Sequence, residues 1–203
     1  MRLLLHNSGP VATLASGDLN SPLTGTDMSD TESMVMEGNN GILIDGDIIS
    51  KISQSEELTH EFGTDDNSTL HIIDCKGKAI IPGFVDSHTH LLWEGDRANE
   101  MQLRHKGLTY SDIAKSGGGI QKTVDFTRSA SIESLTKLGQ MRISRAFEFG
   151  TTTMECKSGY GLTVNSELKL LEVNQFLSEQ SPMDIHSTWL GAHDVPKDTN
   201  IDN

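Results

Sequence analysis

This sequence of 203 residues contains few cysteines, no long apolar run and fewer basic than acidic residues. Cys75 and Cys156 are the only cysteines, which excludes a disulfide scaffold and is typical of a reducing cytoplasm. No run approaches the roughly 20 apolar residues of a membrane span, and residues 6–10 interrupt the apolar N-terminal stretch before a signal-peptide core could form. We therefore predict a soluble, cytoplasmic protein.

The balance of charges excludes further classes of partner. Acidic residues outnumber basic ones by 29 to 16, which gives a formal net charge of −13. Nucleic acids and anionic membrane surfaces would be repelled by this charge, so neither is predicted as a partner. A small anionic substrate would need a local cation, for which Arg97 is the candidate.

The first 82 residues have the pattern of a small β-rich module without long helices. Residues 16–40 are dominated by Ser, Thr, Gly, Asp and Asn, which predicts a long mobile loop. Short β-branched runs around Gly46 and Gly77 predict a hairpin through Asp45-Gly46 and a repeat of that pattern. These runs are residues 41–45, 47–52, 70–74 and 78–81.

Residues 83–203 change to alternating strands and helices, which predicts an α/β fold. Between His90 and Gly150 we expect two helical regions, the second with Ser131 as N-cap and Gly150 just past its end. Helices of this length call for parallel strands joined by crossovers, and thus for three βα units. The remaining predicted elements are strands at 84–92, 151–157 and 184–191 and a helix at 165–178.

The stretch Ile80–Arg97 contains the strongest chemical signal. Polar residues at every second position of its strand place Asp86, His88 and His90 on one face. Side chains at i and i+2 are about 7 Å apart, near enough for two imidazoles to bind one cation. The alternative is a pair of hydrogen-bonded structural histidines. A Ser-His-Asp triad is excluded, because Ser87 points away from His88.

Two glycine-rich segments have open interpretations. Residues 117–119 lack the Lys-Ser/Thr that follows the glycines of a phosphate loop, so a flexible or substrate-covering loop is favoured. The turn at residues 158–161 places Tyr160 after a predicted strand, where it could serve function or simple turn chemistry. His88 and His90, residues 157–160 and His193 all lie at the C-terminal ends of successive predicted strands, which is where both barrels and doubly wound sheets bind their ligands.

The sequence also resembles a known family, the amidohydrolase superfamily of metal-dependent hydrolases. Its entry-strand motif matches PGFVDSHTHL. A narrower match, to the branch that opens the ring of 4-imidazolone-5-propanoate to give N-formimidoyl-L-glutamate in histidine degradation, covers about residues 41–196. That match rests on HTHLLWEGDRANEMQLRHKGLTYSDIAKSGGGI, TTTMECKSGYGL and WLGAHDVP. The resemblance implies a (β/α)8 TIM-like barrel preceded by part of a small β-sandwich.

The resemblance also implies roles for particular residues. His88 and His90 match metal ligands, for zinc (Zn²⁺) or for iron (Fe²⁺ or Fe³⁺). The positions that match substrate contacts for a small anionic imidazolone propionate are Arg97, Tyr160 and His193, with Tyr110 and Lys157 as second-rank candidates.

The sequence departs from the family by ending at Asn203, after three predicted barrel strands. The family's other metal ligands, a His and an Asp, have no counterpart, and neither does the side chain that works beside the metal. We therefore expect an N-terminal half that is inactive alone, with no catalytic residue assigned. Whether the full-length enzyme forms a homodimer stays open. The alternatives are another amidohydrolase, such as a guanine or cytosine deaminase, and a non-catalytic metal-binding fragment.

Overall fold

The computed structural model describes residues 1–14, 21–63 and 70–197. It divides into two compact units, Met1–Pro82 and Gly83–Asn203. Within the described residues, no helix is both long and apolar enough to cross a bilayer.

The first unit contains a four-stranded sheet with one short helix packed against it. Its strands are β1 (Arg2–Ser8), β2 (Val11–Ala12), β3 (Val35–Met36), β4 (Asn40–Asp45), β5 (Ile48–Gln54) and β6 (Leu70–Asp74), and its helices are α1 (Thr31–Met34) and α2 (Ser55–Phe62). The sheet order is β5-β4-β1-β6, and its core is formed by Leu4, Leu43 and Leu58.

One of the two β-branched patterns in this unit forms the predicted hairpin, and the other does not. Strands β4 and β5 pair antiparallel around Gly46, which has a φ of +66°, so this prediction is confirmed. Strand β6 instead runs parallel to β1. The strand expected at residues 78–81 is reduced to one bridge between Ile80 and Val11, because the backbone there bonds to residues 9–12.

The prediction of one long loop over residues 16–40 is wrong for its second half. A 3₁₀ helix at Gly25–Ser29 is followed directly by α1 and β3. The Asp30 side chain caps α1 by accepting the backbone N–H of Ser33. The buried Asn40 amide donates to the carbonyl groups of residues 36, 37 and 38, which folds the segment back onto β4. Residues 16–20 lie outside the described residues.

The second unit is an α/β arrangement of three parallel strands, in the order β7-β8-β9. The predicted parallel pairing is therefore confirmed. Four helices, not the two predicted, lie between His90 and Gly150, since Gly107 and Gly117 break the segment at positive φ. The elements are β7 (Phe84–Thr89), α3 (Ala98–His105), α4 (Tyr110–Lys115), α5 (Ile120–Ser129), α6 (Ile132–Glu148), β8 (Thr151–Lys157), α7 (Val164–Gln180) and β9 (Asp184–Thr188).

Local sequence explains the ends of the long helices. The Ser131 side chain accepts the N–H of Ser134 at the start of α6, and Gly150 follows the helix with a φ of +92°. The predicted boundaries of α6 are thus confirmed. In α7, Thr163 caps by accepting the N–H of Ser166.

The core of this unit lies between one face of the three-stranded sheet and helices α6 and α7. The strands contribute Met154, Cys156 and Ile185, and the helices contribute Leu135, Ile143, Leu170, Val173 and Leu177. Residues that alternate with Met154 and Cys156 along β8 therefore point to the opposite face of the sheet. That opposite face is the one that contains polar residues, including Glu155 and Lys157.

Cys156 should be chemically inert in the folded protein. Burial raises the pKa of its thiol to about 11, so little reactive thiolate forms at neutral pH. We expect iodoacetamide at pH 8 to modify the half-buried Cys75 well before Cys156, as measured by peptide mass spectrometry. Denaturation in urea is the control and should make both reactive; equal rates in the folded protein would contradict the prediction.

The same thiol links stability to pH. Because its folded-state pKa lies above the ordinary value of 9.0, Cys156 stabilises the fold fully below that pH. This contribution is lost as the pH rises toward about 11.

Candidate active site

Four aromatic side chains meet at the carboxyl ends of the three parallel strands. The centroids of the His88 and His90 rings, at the end of β7, lie 6.0 Å apart. The His90 ring is 4.8 Å from Tyr160, which follows β8, and 4.8 Å from His193, which follows β9. Tyr160 and His193 are 5.8 Å apart. The parallel order of the strands thus brings together residues up to 105 positions apart in the sequence.

His90 is the centre of this cluster and is held in its neutral form. Burial lowers the pKa of His90, the neighbouring His193 and His88 lower it further, and the Ser158 backbone opposes the shift. Neutral imidazole is the form that binds metal ions. The His90 Nδ1 atom is buried and finds no hydrogen-bond partner among the described residues.

These two histidines fit one half of a metal site. Imidazole nitrogen is a good ligand for both zinc and iron, and no hydrogen bond from the described residues occupies the Nδ1 atom of His90. Within the described ranges, no group of three or more His, Cys, Asp or Glu side chains is placed to hold a metal. Asp86, on the same strand face, accepts the backbone N–H of His88.

Lys157 lies in an ionic network that spans two strands. Its Nζ is 2.6 Å from Glu155 Oε1, which also accepts the Thr188 hydroxyl at 2.7 Å. The hydrogen bond from Lys157 is the main cause that lowers the pKa of Glu155, and the Thr188 bond and the charge of nearby His88 act in the same direction. Glu155 was not among the residues predicted from the sequence, although its i, i+2 spacing from Lys157 places both on the site face of β8.

Two predicted substrate residues lie outside the ring cluster. Arg97 is the exposed residue at the start of α3; its carbonyl accepts the N–H of Glu100, but no hydrogen bond, ion pair or ring contact joins its side chain to the described residues. Tyr110 is the first residue of α4 and is 52% exposed, with its hydroxyl beside Gly119. The Gly119 N–H donates to the buried Glu100 carboxylate at 2.8 Å, so residues 117–119 are anchored to α3.

Helix α5 contacts the chain that follows each of the three strands. After β7, the Glu94 N–H donates to the Thr127 hydroxyl at 3.1 Å. After β8, the Arg128 Nε donates to the Gly161 carbonyl at 2.6 Å. After β9, the Gln121 amide donates to Asp194 and Val195, at 3.0 and 2.9 Å. This bracing was not foreseen from the sequence, because every one of these bonds joins residues more than 30 positions apart.

Curated relatives match nearly all of this chain. An imidazolonepropionase of Symbiobacterium thermophilum is 43% identical over 195 residues, which are 96% of this chain and 44% of that protein. An imidazolonepropionase of Brevibacillus brevis is 40% identical over 194 residues, 96% of this chain and 45% of that protein. By sequence, the chain matches the N-terminal half of imidazolonepropionase. It spans less than half the length of these imidazolonepropionases. No family model matches it.

Solved structures share the fold. A guanine deaminase of E. coli superposes with a TM-score of 0.56 at 18% identity, covering 92% of this chain and 35% of the deaminase. An atrazine chlorohydrolase of Arthrobacter aurescens, complexed with zinc, has a TM-score of 0.54 at 16% identity, covering 92% of this chain and 35% of that enzyme. These identities support a shared α/β fold and nothing finer.

Proposed function

We propose that the natural protein carrying this chain hydrolyses 4-imidazolone-5-propanoate to N-formimidoyl-L-glutamate in histidine degradation. Water adds across one ring carbon–nitrogen bond, which breaks as the carbonyl carbon gains an oxygen. The observation that carries the proposal is the cluster of His88, His90, Tyr160 and His193 in a chain 40% and 43% identical to imidazolonepropionases. A guanine or cytosine deaminase is the alternative. It would share the fold with this chain but not the sequence identity to imidazolonepropionases.

In this proposal His88 and His90 are two ligands of one zinc or iron ion. When bound, such an ion supplies Lewis-acid activation of water and of the substrate carbonyl. The low pKa of His90 keeps its ring unprotonated for this role. Two imidazoles do not complete a tetrahedral site, so we infer further ligands elsewhere in the natural protein, and no activity from these 203 residues alone.

The substrate is proposed to lie over the ring cluster. Its planar ring would receive hydrogen bonds from the Tyr160 hydroxyl and the His193 imidazole, which flank His90. The exposed guanidinium of Arg97, which makes no ion pair with the described residues, is suited to bind the propionate through two parallel hydrogen bonds. Tyr110 and Lys157 are second-rank candidates, and the Lys157 ion pair with Glu155 favours a structural role for it.

The finer architecture belongs to the same proposal. The three parallel strands would be the first of a (β/α)8 barrel, and the four-stranded sheet of the first unit would be part of a β-sandwich. The exposed Phe84, Val85 and Trp189, at 53%, 69% and 65% exposure, are apolar surfaces that further strands and helices of such a barrel would cover. A cytoplasmic location follows from the metabolic role, and a homodimer stays open.

The test is a direct assay of the natural-length protein with zinc or iron supplied, following the loss of imidazolone absorbance. We expect Arg97→Met to raise KM by about 10- to 100-fold, because charge-assisted hydrogen bonds to the propionate are lost. The matched control is Arg104→Met, an exposed arginine at the other end of α3, which should leave KM unchanged.

The outcomes separate the candidates. No turnover of the imidazolone by the metal-loaded protein would overturn the assignment. Turnover of the imidazolone with an unchanged KM in Arg97→Met would keep the assignment but show that Arg97 does not bind the propionate.

A further inference from the structure

A buried carboxylate holds the turn that contains Tyr160. Glu167, in the first turn of α7, is only 2% exposed. Its Oε2 accepts the N–H of Gly159 at 2.8 Å, and its Oε1 accepts the N–H groups of Gly161 and Leu162 at 2.7 and 2.6 Å. Three of the backbone donors that surround Tyr160 therefore converge on one side chain.

The turn needs this support because its backbone is unusual. Leu162 has a φ of +55°, in the left-handed region where a Cβ crowds the following carbonyl. Gly159 has a φ of +120°, which a residue with a Cβ rarely adopts. A strained backbone conformation of this kind persists only where surrounding contacts hold it in place. Such positions are concentrated at functional sites. The N–H of Leu162 makes the shortest of the three bonds to Glu167.

The same turn is packed tightly on both sides of Tyr160. A Cβ at Gly159 would lie 3.0 Å from the Cβ of His193, and a Cβ at Gly161 would lie 2.6 Å from the backbone nitrogen of Glu167. The Ser158 hydroxyl accepts the N–H of Leu190 at 3.0 Å. The position of the turn is thus transmitted to the segment that contains His193.

We propose that Glu167 is a positioning residue of the active site, acting through the backbone of residues 158–162. Its carboxylate fixes the turn so that the Tyr160 ring lies against His90 and so that Gly159 packs under His193. The charge is stabilised by the three N–H groups and by the N-terminal end of α7. No cationic side chain forms an ion pair with Glu167 in the part of the chain that the structure describes. The inference rests on the proposed function.

The test compares Glu167→Gln with Glu172→Gln, an exposed glutamate on the same helix, in the natural-length protein. An amide keeps one acceptor and turns its NH₂ toward a backbone N–H, so E167Q loses at least one of the three bonds. By NMR, we expect hydrogen exchange at Gly159, Gly161 and Leu162 to accelerate by at least about tenfold. The ring contacts of Tyr160 with His90 and His193 should weaken, while the E172Q protein keeps both.

The kinetic constant kcat/KM is a second measurement, and a purely structural role of Glu167 would leave it unchanged in protein that stays folded. With the metal-loaded protein, E167Q should lower kcat/KM by at least about tenfold, without loss of metal and without a fall in the folded fraction. Unchanged exchange and unchanged ring contacts in E167Q would overturn the inference. Absence of imidazolone turnover in the unaltered protein would contradict the proposed function but would leave the NMR test of Glu167 valid. The two failures are therefore distinguishable.

A second variant tests the role of Glu167 if the E167Q protein does not fold. Glu167→Asp keeps the charge but shortens the side chain by one methylene, so it cannot reach all three N–H groups. Faster exchange confined to residues 158–162 would support the inference. Exchange equal to that of the unaltered protein, or acceleration spread evenly over α7 and the sheet, would overturn it.

Discussion

Replacing His90 by alanine in the natural-length protein is expected to reduce the proposed hydrolysis of the imidazolone by at least about a thousandfold, since loss of a proposed metal ligand would remove several kcal/mol of metal-dependent stabilisation. His90 is central to the ring cluster, and its buried Nδ1 atom has no hydrogen-bond partner among the described residues. Its removal leaves His88 as the one remaining histidine of the two proposed metal ligands. Metal content after dialysis and turnover with metal supplied are the two measurements.

The control for this prediction is His71→Ala. His71 is an exposed histidine on β6, in the other compact unit, and no ring contact joins it to the described residues. It should retain full metal content and full rate. A His90→Ala protein that keeps its metal and its rate would show that the neutral, buried imidazole has only a structural role.

Leu177→Ala is expected to destabilise the second unit by about 2–5 kcal/mol, the range for a large-to-small change in a packed core. Leu177 is 1% exposed and packs in the core between the sheet and helices α6 and α7. Its side chain fills the space beside Gly139, where α6 lies so close to α7 that an added Cβ would overlap Leu177. Truncation leaves a cavity that two packed helices cannot readily close.

The free energy of unfolding in urea measures this effect, and Leu168→Ala is its matched control. Leu168 lies on the same helix but is 49% exposed, so the same truncation should cost less than about 1 kcal/mol. Equal losses in the two variants would mean that α7 is not held by this core.

Local signals predicted several elements because they act within a few residues. The hairpin of β4 and β5 depends on one glycine that adopts positive φ between two β-branched runs. The ends of α6 depend on a serine cap and a terminal glycine. Strand alternation predicted that His88 and His90 would share a face of a strand at 84–92. The strand β7 ends at Thr89, and the two rings lie 6.0 Å apart at its carboxyl end.

Features that depend on long-range contacts were either predicted wrongly from the sequence or not predicted at all. The parallel pairing of β6 with β1 joins strands that β4 and β5 separate in the sequence, so no local turn signals it. Residues 98–129 were expected to lie within the first of two helical regions, but glycines with positive φ divide them into three helices. The bracing of three loops by α5 depends on side chains whose partners are set by packing.

The sequence by itself determined the chemical groups and the parallel pairing of the second unit: two histidines at the end of one strand, and a tyrosine and a third histidine after the next two strands. Such features follow from period, spacing and connection length, which local backbone geometry dictates. Only the tertiary structure decided that the rings of His90, Tyr160 and His193 lie within 6 Å of one another, and that the side chain of Arg97 is exposed. It also decided that Glu167 supports the turn at Tyr160, because a buried carboxylate finds its donors only after the helix has packed.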